Sequence, residues 1–227
     1  MSTPPSSCSF RELSPDLPPV APLAETLRDL PLLPALALAA RAAGDRIVFP
    51  AEVLATILQH LEGSRAERGG LLLGDVHALP DSAGPYPFVT VVTSAVAADA
   101  VASGPVSLAM AASVWREGWR GMDEGQRVVG WYHSHPDLGV FFSGIDRRTQ
   151  RAFFPAPYSV GLVVDWVRRA SGIFTGAEAS VFRDADGAPA DPVFARKPAD
   201  AGATQLTPER TDDYRVMEVS AGERGEK

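Results

Sequence analysis

Cysteine is almost absent from this chain of 227 residues, whose single cysteine is Cys8. No disulfide can form within the chain, which excludes a fold that depends on internal disulfides. We therefore expect a protein of the reducing cytoplasm.

Long hydrophobic runs and a secretory start are also missing. The longest apolar piece, residues 30–40, is interrupted by prolines and is too short to span a bilayer. The first residues have no charged start followed by an apolar core, so we predict no secretory signal. Both observations predict a protein without membrane contact.

An excess of basic charge is missing as well. The chain has 21 basic and 28 acidic residues, which give a net charge of -7. The acidic excess lies toward the two ends, and the central part is close to neutral. Since no basic field is available to hold a phosphate backbone, nucleic acid is not an expected partner. The remaining composition, 45% hydrophobic and 22% charged residues, is ordinary for a soluble globular protein.

Composition divides the chain into three parts. Residues 1–45 are rich in proline and predict an N-terminal arm that is disordered or loosely docked. Residues 46–183 predict the folded domain, and residues 184–227 predict an acidic, flexible C-terminal tail. Within the arm, residues 35–43 predict a short helix that covers the domain's own surface; a segment that binds a partner is the alternative.

Strand-like and helix-like segments alternate along the folded part. Strands are predicted over residues 46–49, 69–76, 86–94, 127–132, 158–166 and 177–182, with Gly172 in the turn before the last one. Helices are predicted from Pro50 to Gly63 and over residues 107–119. His60, in the last turn of the first helix, is predicted as a helix C-terminal cation or a surface residue.

Two histidines stand two residues apart at the end of a strand-forming run. In a strand, residues i and i+2 share a face, so His133 and His135 present two imidazoles side by side. Tyr132 and Ser134 point the other way. Pro136 cannot donate to a ladder and ends the strand.

A flexible segment, residues 137–142, is predicted after this strand, followed by a helix that stops before Pro155. Ser143 is predicted as the helix N-cap with Asp146 at N3. Two histidines and one aspartate suit a catalytic zinc site, which uses three protein ligands and leaves one position open. The alternatives are a plain capping box and buried structural histidines.

These residues resemble the signature of the JAMM (MPN-domain, Mov34/MPN/PAD-1) metalloproteases. The pattern is His133-x-His135, seven residues, Ser143, two residues and Asp146, with Glu67 at the head of the upstream run Glu-Arg-Gly-Gly-Leu-Leu-Leu-Gly. The resemblance covers residues 46–183 with no departure at these five positions. It implies an α/β (α+β) MPN/JAMM fold with a central twisted mixed β-sheet flanked by helices.

The resemblance also implies a role for each of the five residues. His133, His135 and Asp146 are ligands of one zinc ion per chain. Glu67 is the general base toward the attacking water and then the acid toward the leaving amine. Ser143 helps to stabilise the oxyanion, and the substrate-binding residues stay unassigned.

The family's substrates imply a zinc-dependent isopeptidase or peptidase that cleaves the amide bond after the C-terminal glycine of a ubiquitin-like protein. The lean domain is similar to prokaryotic members, which favours a bacterial ubiquitin-like conjugation system of antiphage defence with E1-like and E2-like partners. The alternative enzymatic function is the processing of a small sulfur-carrier protein. The alternative without catalysis is an MPN scaffold in a larger assembly.

Overall fold

The computed structural model of the chain describes residues 46–78, 88–98, 112–122, 126–183, 187–194 and 214–218. These residues form eight strands and three helices. In chain order they are β1 Arg46–Pro50, α1 Ala51–Leu61, β2 Gly69–Ala78, β3 Phe88–Ala97, α2 Ala112–Gly121, β4 Arg127–Ser134, α3 Gly144–Phe153, β5 Val160–Asp165, β6 Ala170–Thr175, β7 Ser180–Val181 and β8 Tyr214–Glu218.

One sheet contains all of these strands, in the order β7-β6-β5-β4-β2-β3-β1-β8. β1 pairs in parallel with β3, and β4 pairs in parallel with β5. The other neighbouring strands are antiparallel, including β2 with β3. The mixed sheet flanked by helices that the resemblance implied is therefore confirmed.

Apolar side chains cover both faces of this sheet, because successive residues of a strand point to opposite faces. On β4, Tyr132 belongs to the core that packs under α1. Its neighbour Trp131 belongs to a second core on the other face, together with Val114 of α2. Strand β4 is thus buried on both sides, and it is the strand that leads to the two histidines.

Helix α1 forms because its apolar residues recur at helical spacing. The buried positions are Val53, Leu54, Ile57 and Leu61. Each contributes on the order of 1.5–3 kcal/mol when fully buried. Pro50 is the N-cap rather than the first helical residue. Gly63 follows the helix end with φ at +79°, a conformation that glycine adopts without strain.

The end of the domain differs from the prediction. Gly172 was expected in a turn but lies inside β6, which pairs along its whole length with β5. A Cβ at Gly172 would come within 2.5 Å of Val140 Cγ1, so any larger residue at this strand position requires Val140 to shift. The predicted strand 177–182 is reduced to the two residues of β7, and Gly176 with φ at +65° lies in the turn before it.

Two pieces of the segment predicted as a C-terminal tail belong to the described structure. Residues 187–194 return to the sheet, where the Ala190 N–H donates to the Phe182 carbonyl at 3.0 Å. β8 pairs antiparallel with β1 and forms one edge of the sheet. The sheet therefore extends past residue 183, whereas the predicted arm, including its helix 35–43, and residues 107–111 lie outside the described residues.

The three helices of the described ranges are 11, 10 and 10 residues long. None of them is long and apolar enough to cross a membrane.

Candidate metal centre

Strand β4 delivers the two imidazoles to one side of the sheet. Its last residue is Ser134, and the His135 N–H continues the pairing by donating to the Val164 carbonyl of β5 at 3.1 Å. His133 and His135 are 1% and 3% exposed, and their Nε2 atoms lie 3.2 Å apart. Tyr132 packs on the opposite face, as alternation predicted.

Helix α3 brings a carboxylate to the same place. Ser143 is its N-cap, and the Asp146 N–H donates to Ser143 Oγ at 3.2 Å. In return, the Ser143 N–H donates to Asp146 Oδ2 at 2.6 Å. This reciprocal capping box fixes the first turn and leaves Asp146 only 1% exposed. The predicted cap and the proximity to the histidines therefore occur together.

The three side chains come close enough to share one metal ion. His133 Nε2 lies 3.5 Å from Asp146 Oδ1, and His135 Nε2 lies 3.6 Å from Asp146 Oδ2. With the 3.2 Å between the two Nε2 atoms, these separations are similar to the roughly 3.3–3.6 Å between ligand atoms of a tetrahedral ion with bonds of about 2.0–2.2 Å. The two histidines approach different oxygens of Asp146. His133, His135 and Asp146 can therefore hold a divalent ion.

For His133 and Asp146, the surroundings favour the protonation states that a cation needs. Burial lowers the pKa of His133, and this outweighs the opposing effect of Asp146. Burial would raise the pKa of Asp146, but hydrogen bonds from His133, His135 and Ser143 hold it well below its usual range. A neutral imidazole and an ionised carboxylate are the forms that bind metal.

Glu67 stands just ahead of β2, whose first residue, Gly69, pairs with His133 across the ladder. It therefore reaches the same end of β4. Burial raises the pKa of Glu67; His135 counteracts this and Asp146 reinforces it. The buried Oε2 of Glu67 has no hydrogen-bond partner among the described residues. A carboxylate placed in this way is suited to receive a proton from a molecule in the site.

Aromatic packing sets the orientation of both imidazole rings. His133 stacks on Trp131 with ring centroids 4.5 Å apart and planes 12° apart, and Trp131 Nε1 donates to Gln150 Oε1 at 2.7 Å. His135 packs against Phe141 at 4.7 Å. Within the described ranges, Nδ1 of His133 and of His135 has no hydrogen-bond partner. Side-chain packing thus takes the role that a hydrogen-bonded partner often has in metal sites.

A buried carboxylate that sequence analysis did not single out organises the segment after His135. Asp165 is 0% exposed and accepts backbone N–H groups from Asp137 at 3.0 Å and Gly139 at 2.8 Å. It also accepts the N–H groups of Val167 and Arg168 at 3.1 and 3.0 Å. The segment predicted to be flexible is therefore tied to the end of β5.

His60 also differs from its prediction. Its Nδ1 lies 2.9 Å from the Tyr132 hydroxyl, and the ring is only partly exposed. Burial, followed by the charge of Arg68, lowers the pKa of His60, so it is not the helix C-terminal cation that was expected. It belongs to the last turn of α1 and contacts Tyr132, on the face of β4 away from the metal ligands.

Comparison with known sequences identifies the class of this domain. The chain belongs to the family described as prokaryotic homologues of the JAB domain, whose sequence model matches residues 50–175. This range contains all five residues of the predicted site. The resemblance to JAMM/MPN proteins is therefore confirmed at the level of the family.

Individual relatives match over a shorter stretch. COP9 signalosome complex subunit 5 of Eremothecium gossypii is 51% identical over 53 residues, which are 22% of this chain and 12% of that protein. The 26S proteasome regulatory subunit rpn11 of Schizosaccharomyces pombe is 44% identical over 48 residues, or 21% and 16% of the two chains. The protein named ubiquitin carboxyl-terminal hydrolase RPN11 of Saccharomyces cerevisiae is 44% identical over 48 residues, with the same coverage. The matches thus span only 12–16% of these relatives' lengths.

Two solved structures are also similar to this chain. Protein DSY2949 of Desulfitobacterium hafniense is 19% identical with a TM-score of 0.45, and the match covers 60% of this chain and 88% of that one. AF2198, a JAB1/MPN domain protein of Archaeoglobus fulgidus, is 15% identical with a TM-score of 0.34, covering 59% and 92%.

Proposed function

We propose that this protein is a zinc-dependent isopeptidase or peptidase that cleaves the amide bond after the C-terminal glycine of a ubiquitin-like protein. The observation that carries the proposal is the convergence of His133, His135 and Asp146, whose ligand atoms lie within 4.8 Å of one another. At the same end of β4, a carboxylate oxygen of Glu67 has no hydrogen-bond partner among the described residues. Family membership supports the same assignment.

His133, His135 and Asp146 would hold one zinc ion, which would supply Lewis acidity toward a substrate carbonyl and a water molecule. Glu67 takes a proton from the attacking water and returns it to the leaving nitrogen. The Ser143 hydroxyl accepts the Asp146 N–H and keeps its own proton to donate to the developing oxyanion. No covalent intermediate with the protein is needed, because water is the nucleophile.

Exposed apolar side chains lie on the segment between His135 and Asp146. Leu138, Phe141 and Ile145 are 58%, 44% and 44% exposed. Exposed apolar groups beside a polar centre provide contacts for a protein substrate. The relative named ubiquitin carboxyl-terminal hydrolase RPN11 supports a ubiquitin-like substrate. A bacterial conjugation system of antiphage defence in the cytoplasm, with E1-like and E2-like partners, is the setting we propose.

The direct test compares the wild type with Glu67→Gln. We expect about one zinc per chain in both proteins, because Glu67 is not a ligand. Cleavage of lysine-linked diubiquitin, and of ubiquitin carrying a C-terminal fluorogenic amide, is expected to fall by at least about 100-fold in the variant, the lower range for loss of a general base. Metal analysis and gel or fluorescence assays measure both quantities.

The same experiment separates the alternatives. A folded wild type that binds no zinc and cleaves no probe would be a scaffold, and the proposed function would be wrong. Zinc binding with cleavage only of a sulfur-carrier protein that bears a C-terminal extension would shift the substrate class while keeping the chemistry. Equal rates for Glu67→Gln and the wild type would remove Glu67 from the mechanism.

A further inference from the structure

Ser134 stands between the two histidines and has no part in the chemistry described above. Its side chain points away from them and is 0% exposed. The Ser134 Oγ accepts the backbone N–H of Arg68 at 3.0 Å and lies 3.5 Å from the Arg68 carbonyl oxygen, to which it can donate. The Ser134 N–H donates to that same carbonyl at 2.8 Å. Both backbone polar groups of Arg68 are therefore bound by one residue.

We infer that Ser134 is a positioning residue that fixes the general base through the peptide of Arg68. The inference rests on the proposed function, because it concerns the base of that reaction. Arg68 follows Glu67 directly, so holding its N–H and carbonyl sets the direction in which the Glu67 side chain leaves the chain. The same three-residue strand end, 133–135, then controls both the ligands and the base.

The hydrogen bonds from Ser134 to the backbone of Arg68 are here called the clamp. The position of Glu67 in the fold explains why the chain needs it there. The β2–β4 ladder begins at Gly69 opposite His133, so Glu67 and Arg68 precede the first pair of strand residues. Ser134, the last residue of β4, continues the pairing beyond the first residue of β2. It does so with hydrogen bonds from its side chain in addition to its own N–H. Upstream, the Trp166 Nε1–H donates to the Ser64 carbonyl at 3.2 Å, and the guanidinium of Arg68 donates to the His60 carbonyl at 3.0 Å. Of these contacts, only those of Ser134 hold the peptide next to Glu67.

The chemistry of the clamp requires a hydroxyl and not merely a small side chain. Threonine retains the hydroxyl, whereas valine has the same branched shape without it. Comparing Ser134→Thr with Ser134→Val therefore cancels the steric effect of the added methyl group in this buried position. Ser134→Ala adds a variant that introduces no new bulk, in case the branched side chains prevent folding.

We expect Ser134→Val and Ser134→Ala to lower kcat by at least about tenfold relative to Ser134→Thr, since a displacement of about 1 Å can cost on the order of 100-fold. Zinc affinity and KM are expected to be unchanged, because the ligands and the substrate surface lie on the other side of β4. The probes are lysine-linked diubiquitin and ubiquitin with a C-terminal fluorogenic amide.

Thr90→Val is the matched control. Thr90 is 1% exposed, and its hydroxyl donates to the Tyr158 carbonyl at 3.1 Å, far along the chain from Glu67. This variant also loses a buried hydroxyl hydrogen bond, but its kcat is expected to equal that of the wild type. If Thr90→Val lowers kcat as much as Ser134→Val, or if Ser134→Val binds zinc more weakly than Ser134→Thr, the role of Ser134 is general stability and the inference is overturned.

Amide hydrogen exchange of the metal-free protein provides a readout that does not need activity. We expect the Arg68 amide to exchange about tenfold faster or more in Ser134→Val than in Ser134→Thr, with the amides of β2 beyond Gly70 unchanged, because the opening is local. Equal exchange in the two variants overturns the clamp. If the wild type cleaves neither probe, the proposed function fails, whereas exchange at Arg68 still decides whether the hydroxyl holds this peptide.

Discussion

Two buried carboxylates near the same strand end have opposite surroundings. Asp165 is 0% exposed and accepts four backbone N–H groups, from Asp137, Gly139, Val167 and Arg168. Asp146 is 1% exposed, and among the described residues one backbone N–H, that of Ser143, reaches its carboxylate. Its other neighbours are the Nε2 atoms of the two histidines, at 3.5 and 3.6 Å.

The difference distinguishes a carboxylate that holds the fold from one that is a candidate metal ligand. A buried charge is stable when donors satisfy its oxygens, and Asp165 has those donors within the chain. Asp146 has fewer of them and faces the Nε2 atoms of two imidazoles, and burial lowers the pKa of one of these, His133. The fold thus leaves part of the charge of Asp146 for a cation to neutralise, and Asp165 keeps the adjoining segment in place.

Among the variants of these two carboxylates, Asp146→Asn is expected to have the largest effect. We expect zinc affinity to fall by more than about 100-fold, since even changes behind a ligand cost about 10–100-fold, and cleavage to fall to background. The asparagine oxygen can still accept the Ser143 N–H, so α3 is expected to keep its cap. Metal analysis after dialysis, with far-ultraviolet circular dichroism for the fold, measures both effects. Stoichiometric zinc in a folded Asp146→Asn protein would contradict the assignment of this residue as a ligand.

Asp165→Asn is expected to act on stability instead. Its carboxamide provides one acceptor oxygen where the carboxylate provides two, so some of the four N–H groups lose their partner. We expect a loss of about 3 kcal/mol in the free energy of unfolding, on the scale of hydrogen bonds to a buried charge. Denaturant titration of the metal-free protein measures it, and the folded variant is expected to retain zinc.

Asp137, in the segment that Asp165 holds, provides a control for this loss of stability. Asp137 forms an ion pair with Arg168 in which both side chains are more than half exposed, so Asp137→Asn is expected to change stability by no more than about 0.5 kcal/mol. Comparable losses for Asp137→Asn and Asp165→Asn would mean that burial of the carboxylate does not matter.

Lowering the pH tests how much the charge of Asp165 contributes to stability. Burial opposes ionisation of Asp165, but its backbone N–H partners, that of Arg168 first, lower its pKa below the ordinary value of an aspartate. A lowered pKa in the folded state means that the unfolded chain binds the proton first as pH falls. This part of the stability is therefore complete above the unfolded pKa of about 3.9 and is lost as pH falls through the folded value.

The stability gap between the wild type and Asp165→Asn is accordingly expected to stay constant down to about pH 5 and to shrink below about pH 4. Urea titrations at several pH values measure the gap. A gap that stays the same into the acid range would show that the charge of Asp165 is not what the variant loses.

Much of the candidate site follows from local rules that a sequence displays. The i, i+2 spacing of His133 and His135 predicts a shared face, and Ser143 with Asp146 predicts a capped helix start. Both patterns involve neighbours along the chain, so no knowledge of the tertiary fold is needed. Family resemblance added Glu67, which local pattern alone would leave as a loop carboxylate.

The missing parts depend on contacts between distant segments. The importance of Asp165 comes from N–H groups 28 and 26 residues away, those of Asp137 and Gly139. The clamp of Ser134 on Arg68 spans 66 residues. Gly172 resembles a turn residue in the sequence, yet it lies within the strand, where the Val140 side chain closely approaches it.

The reciprocal capping at Ser143 uses only groups of the chain itself. Loading and stripping of the ion therefore do not require the helix to melt and re-form, and treatment with a chelator should be reversible without refolding. A preformed nest of two nitrogens and one oxygen also accepts several first-row divalent metals.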